Sequence, residues 1–152
     1  MKLTSPDFAH GSRIPPEFTC DGANLSPAFA WTGVPVSAMS LLLACYDPDA
    51  PGGTFHHWAV YGIPARRTGL PAGFGPDSPE IELHLAVNDF GRSGYGGPCP
   101  PRGHGLHHYH FRLSALSGDI DASPAARCGE IRRKAGPLEI AVAELIGLYE
   151  RP

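Results

Sequence analysis

The sequence predicts a mostly β protein, an antiparallel β-sandwich or a related β-rich fold, with one short helix late in the chain. Three observations carry that reading. Four apolar or alternating segments of strand length follow one another between residues 39 and 116. The chain holds 19 glycines and 17 prolines without a repeat period, which shortens helices and favours short strands joined by turns. Helix start and stop signals occur together in one segment only, after the strands.

Residues 1 to 30 are turn-rich, because "IPPEFTCDGANLSPAF" offers Pro-Pro, Asp-Gly and Ser-Pro punctuation with little periodicity. "MSLLLACYD" (39–47) is a compact apolar run that ends at "DPDAPGG", which predicts a buried strand stopped by a proline-rich loop. "TFHHWAVYGIP" (54–64) is aromatic and β-branched and closes on Gly62 and Pro64, a second strand. "EIELHLAVNDFG" (80–91) predicts a third, with Ile81, Leu83, Leu85 and Val87 on one face. "GLHHYHFRLSAL" (105–116) is the fourth. In "DASPAARCGEIRRKAG", Ser123 is the expected N-cap, Pro124 the first helical residue, and Gly136 with Pro137 the stop. "LEIAVAELIGLYER" reads best as a turn of helix leading into a last strand.

At 152 residues the chain is one domain, 1–152, long enough to bury a sizeable core. A 42% hydrophobic content excludes a disordered chain. Twelve basic against 15 acidic residues give a net charge of -3, which argues against a phosphate-backbone binder, so no nucleic-acid partner is expected. Nothing resembles a signal peptide or approaches a membrane span, and the expected location is cytoplasmic. Cys20, Cys45, Cys99 and Cys128 have no CxxC spacing, against a zinc ribbon.

Strand alternation sorts the polar groups. His107, Tyr109, Phe111, Leu113 and Ala115 share one face, and His108, His110, Arg112 and Ser114 the other. Leu41, Leu43, Cys45 and Asp47 share a face, as do Phe55, His57, Ala59 and Tyr61. Three strands thus each deliver an ionisable group to a rim, Asp47, His57 and His107, beside two proline-rich loops. Taken singly, each is more often a satisfied core or rim residue. A metal site, a catalytic base and an anion cradle all remain open on these residues alone.

The motifs go further. "DPDAP" (47–51), "FHHW" (55–58) and "GLHHY" (105–109) after "PPRG" resemble the phosphatidylethanolamine-binding protein family, which includes Raf kinase inhibitor protein. "TCDGANLSP", "NDFGRSGYGGPCPP" and "AELIGLYER" resemble its bacterial-type members, so the likeness covers nearly the whole chain. It implies two packed antiparallel sheets with a short C-terminal helix and a small anion pocket at one end. By motif, the ligand-binding residues would be Asp47, Asp49, His57, His107 and Tyr109, with Pro100 and Pro101 as a wall. The resemblance also implies that Cys20 and Cys99 lie close enough to pair. His108 stands where many relatives have Arg, "SPA" replaces "SPP", and Phe55 takes a place often held by Trp. These departures bear on ligand preference more than on the fold.

The expected function is therefore a non-enzymatic binding protein for phosphate-like groups, carboxylates or phospholipid head groups, with no metal and no cofactor. A kinase or protease to inhibit and a homodimer are the further partners it admits. Glycines would let backbone N–H groups approach the anion, and prolines would hold the loop rigid. The rival is a hydrolase using a metal or a thiol from the His/Asp/Cys cluster, with Cys99 as nucleophile. Ser93 lacks the context of a nucleophile elbow, and no nucleotide loop is present.

Overall fold

The computed structural model describes residues 1–78 and 83–152. Among them, eight strands form two antiparallel sheets. β1 (Lys2–Thr4), β2 (Phe29–Thr32) and β5 (Gly69–Leu70) make a three-stranded sheet in the order β1-β2-β5. The larger sheet contains β3 (Ser40–Asp47), β4 (Phe55–Pro64), β6 (His84–Leu85), β7 (His107–Leu116) and β8 (Glu139–Tyr149), in the order β6-β4-β3-β7-β8. The expected sandwich is therefore present, and the one α-helix among the described residues, α1 (Cys128–Ala135), is placed before the last strand.

Burial explains why these segments became strands. Phe29 and Trp31 of β2 pack against Leu41 and Leu43 of β3 and Phe111 and Leu113 of β7, in a core between the sheets. The ring of Phe111 sits 5.0 Å from Phe29 and 5.5 Å from Phe8. A second core lies on the opposite face of the large sheet, where Leu42, Ala44, Ala59 and Tyr61 meet Cys128, Ile131 and Ala135 of α1. β3 is thus buried on both faces, which is why its sequence is an unbroken apolar run.

Three expectations need correction. The third strand shrinks to His84–Leu85, and Val87 makes only isolated bridges, to Ser93 and Arg127. Ile81 lies outside the described residues, and Ala86 is buried while Leu85 is only half-buried, so the expected alternation is not followed. The helix starts at Cys128, not after Ser123. Ser123 and Pro124 instead head a turn, in which the Ser123 hydroxyl accepts from Ala125 N–H at 3.0 Å. Backbone bonds from Val87 N–H to Ala126 C=O and from Cys128 N–H to Val87 C=O hold Arg127 extended, which delays the first helical turn. The helix then stops at Gly136, and a 3-10 turn, Gly136–Leu138, leads into β8 as the sequence suggests.

The third correction concerns β4. Cys45 pairs with Trp58 and Tyr46 with His56, so His57 is an extra residue with no partner on β3, a bulge. A second irregularity sets Leu42 against Tyr61 and Gly62, and Gly62 has φ 70°. Simple alternation put His57, Ala59 and Tyr61 on one face. The bulge instead leaves Trp58 and Val60 in the core between the sheets and Ala59 and Tyr61 under the helix.

Candidate functional site

The end of β3, the start of β4 and the start of β7 converge on a cavity of about 210 Å³. Asp47, His57, His107 and Tyr109 supply its polar lining; Pro51, Phe55, Phe90, Pro100 and Pro101 supply apolar walls. A larger cavity of about 490 Å³, near Phe74, His84 and Asp121, contains none of the ligand-binding residues that the resemblance implies.

Asp47 terminates the buried row of β3 and is 3% exposed. Its Oδ1 accepts from Asp49 N–H at 2.8 Å, and its Oδ2 lies 2.6 Å from His107 Nδ1. With both oxygens engaged, the carboxylate orients His107 and fixes a proton on Nδ1. The other ring nitrogen, His107 Nε2, lies 2.6 Å from His104 Nδ1. These groups form a chain from β3 through β7 to the loop before it.

The bulge at His57 turns that ring towards the cavity. Its Nδ1 lies 2.6 Å from the Gly96 carbonyl, which can only accept, so Nδ1 carries the proton and Nε2 has no described partner. Burial pushes the His57 pKa below the usual imidazole range, against the opposing pull of the Gly96 carbonyl and the Asp47 charge. The ring is accordingly neutral near pH 7. Tyr109 is 1% exposed and meets His57 edge-on at 5.3 Å. Its hydroxyl bonds to no described residue. Burial, and then the Asp47 charge, push its pKa far above the ordinary phenol value, so it remains an O–H donor.

Pro100 and Pro101 line one side of the cavity, and this wall is tied down from behind. Cys99 is disulfide-bonded to Cys20, with Cα atoms 5.4 Å apart. Arg151 Nε donates to the Pro100 carbonyl at 2.8 Å, and Gly103 N–H donates to the Arg151 carbonyl at 2.9 Å.

Two expectations fail here. Asp49 does not line the cavity: its Oδ2 accepts from both the backbone N–H and Nδ1 of exposed His108, each at 2.8 Å. Burial raises its pKa, but the His108 bonds outweigh this and hold the carboxyl low. The glycines of "GYGG" do not offer N–H groups to a ligand either. Gly96 N–H donates to the His57 carbonyl and Gly97 N–H to Asn24 Oδ1. They are small because a Cβ on Gly96 would strike the Phe90 ring and one on Gly97 the Phe18 carbonyl.

The disulfide removes Cys99 as a free nucleophile. Among the described residues, no group of three or more His, Cys, Asp or Glu side chains is arranged to hold a metal ion. Sequence reasoning missed His104 and Phe90. Phe90 left no signal, since its loop pairing with β4 is tertiary. His104 sits between glycines in the stretch 95–111, but strand parity does not extend to a loop.

Residues 4–150 match the family model described as phosphatidylethanolamine-binding protein. A UPF0098 protein of Aquifex aeolicus is 45% identical over 153 residues, 99% of this chain and 89% of that relative. A UPF0098 protein of Methanothermobacter thermautotrophicus is 42% identical over 154 residues, covering 99% of both. The crystal structure of Escherichia coli YbcL, described as a new member of the mammalian PEBP family, matches with a TM-score of 0.94 at 34% identity. That match covers 99% of this chain and 98% of YbcL.

Proposed function

The chain belongs to the phosphatidylethanolamine-binding protein family, and from that premise we propose that its cavity binds small oxyanions without transforming them. The observation that carries this reading is Tyr109, a phenol 1% exposed, lining the cavity, with a hydroxyl that no described residue satisfies. Facing the cavity, this hydroxyl can donate to a ligand oxygen, and a bond to a charged acceptor is roughly twice as strong as a neutral one. His57 Nε2, once protonated, supplies a second donor and a positive charge. The apolar walls keep water away and so strengthen each bond made inside.

Size narrows the class. A cavity of about 210 Å³ is smaller than the roughly 300 Å³ at the low end of drug-sized sites, so it suits a phosphate-like or carboxylate head group and not acyl chains. Phe55 and Phe90 suit a short organic substituent on that anion.

The disulfide bears on the compartment. A lasting Cys20–Cys99 bond belongs in an oxidising environment, so a cytoplasmic location requires the bond to be transient. Thiol counting in freshly lysed cells decides between the two.

Calorimetric titration with sulfate tests the binding reading. Tyr109→Phe should weaken binding about tenfold, the worth of one hydrogen bond to a charged acceptor. His107→Ala should weaken it more than His108→Ala, because only His107 faces the cavity. Equal losses at 107 and 108 would contradict the site, as would the absence of any binding of sulfate, phosphate or acetate.

A further inference from the structure

We propose that His104 is a specificity-determining cap on this cavity, holding the one nitrogen of His107 that a bound oxyanion could use, so that an anion enters by displacing it. The inference rests on the oxyanion reading of the cavity and adds a residue to which neither the motifs nor the family resemblance gave a role.

The hydrogen-bond inventory of His107 leads to it. The side chain is 2% exposed and lines the cavity, yet both ring nitrogens are engaged. Nδ1 is committed to Asp47 Oδ2 at 2.6 Å, and Nε2 to His104 Nδ1 at 2.6 Å. A bond between two ring nitrogens contains one proton, and one of the nitrogens must accept. Whichever ring carries that proton, the Nε2 direction is filled. With Nδ1 protonated towards Asp47, Nε2 donates to an oxyanion only from the imidazolium, so binding needs His104 to leave and a proton to stay on Nε2.

His104 is built to leave. It is exposed, and its ring makes no other hydrogen bond among the described residues; its backbone N–H donates to the Pro101 carbonyl at 3.2 Å. It stands between Gly103 (φ 74°) and Gly105 (φ 89°), and a Cβ at either position would meet nothing within 4 Å. Backbone conformation, not close packing, accounts for glycine at both places, and the pair gives the ring a hinge on each side. The disulfide and Arg151 hold the proline wall separately, so the cap can swing without disturbing it.

Selectivity follows. A neutral ligand that replaces His104 exchanges one ordinary hydrogen bond for another and gains little. A dianion forms a charge-assisted bond, roughly twice as strong, and displaces the cap. His104 thus favours charged oxyanions over neutral polyols of similar size.

The test uses the whole chain labelled with 15N-histidine, with sulfate as the probe. The N–H···N bond transmits a scalar coupling between His104 Nδ1 and His107 Nε2, which should be present in the free protein and vanish at saturating sulfate. By calorimetry, His104→Ala should bind sulfate about fivefold more tightly, because no bond has to be broken first. His104→Asn, whose amide can again reach Nε2, should return affinity towards that of the parent chain. A coupling absent from the free protein, or one that persists at saturation, overturns the cap. So does unchanged or weaker binding by His104→Ala while His107→Ala still loses affinity, and in that case the oxyanion site stands. No sulfate binding by the parent chain or any variant overturns the oxyanion site itself, and the cap with it.

Discussion

On the outer face of β7, His108 pairs with Asp49, His110 with Glu144, Arg112 with Glu139 and Glu144, and the Ser114 hydroxyl with Glu139. At the inner end of the same strand, the Tyr109 hydroxyl has no described partner, and neither does Nε2 of neighbouring His57. The two regions draw on similar residues and differ in completion. Where carboxylates from β8 and the β3–β4 loop pair with the side chains of the strand, the cluster joins elements together. Where donors converge on a cavity and stay unsatisfied, the arrangement suits a partner from solution. An unpartnered atom alone is not enough: among the described residues His56 Nδ1 and Trp58 Nε1 are buried without partners, and neither residue lines the cavity. Convergence on shared space makes the difference.

The largest expected effect bears on how each region is held. The inner region has a covalent brace, and the outer one has only ion pairs. Cys20 and Cys99 are separated by 79 residues. Closing a loop of that length contributes about 4 kcal/mol in the chain-entropy account. Urea denaturation of Cys20→Ser/Cys99→Ser should show a loss of that order, accompanied by weaker sulfate binding as the proline wall loosens. A loss of stability with sulfate affinity intact would mean that Arg151 alone positions the wall.

The second prediction runs the other way. Arg112→Met leaves Glu139 and Glu144 without their guanidinium, in a setting where all three side chains are less than a third exposed. Stability should fall by about 1–2 kcal/mol, discounted for partial solvent screening. Sulfate affinity should not change, because the network lies on the opposite side of the sheet. If Arg112→Met alters both, the faces communicate through β7 and the contrast between them collapses.

How much of this was legible in the sequence depends on whether the cause was local. The alternation of β7 was readable because one side of the strand is buried and the ladder to β3 runs without a shift from Ser40 to Tyr46. The unbroken run of β3 announced burial but not which core each side chain joins. His57 lines the cavity beside a bulge, which parity cannot foresee, so its expected company of Ala59 and Tyr61 was wrong. The helix start was misplaced because the backbone of Val87, some 40 residues upstream, holds Arg127 extended. Asp49 came with its motif but is drawn to His108, one of the positions where this chain departs from many relatives.

The smallest expected effect is in the pH dependence, and it separates the charged from the neutral part of the inner region. Burial depresses the His57 pKa in the folded protein, against an ordinary imidazole value of about 6.5. Between the folded and unfolded values, the unfolded chain binds a proton that the folded one does not. Stability therefore rises with pH in that window, is complete above about 6.5, and is lost as pH falls towards the folded value. Sulfate stays doubly charged throughout and favours the imidazolium, so its binding takes up a proton and strengthens as pH falls. Affinity at pH 5.5 should exceed that at pH 8 by about threefold or more. Sulfate should likewise protect against heat more strongly at pH 5.5. In His57→Gln both differences should shrink, while the contribution of Tyr109, which stays protonated across the range, is retained. Equal sulfate affinities at the two pH values in the parent chain would mean that His57 remains neutral on binding. The anion would then rest on the Tyr109 phenol, and the bulge at His57 would serve the shape of the cavity and not its charge.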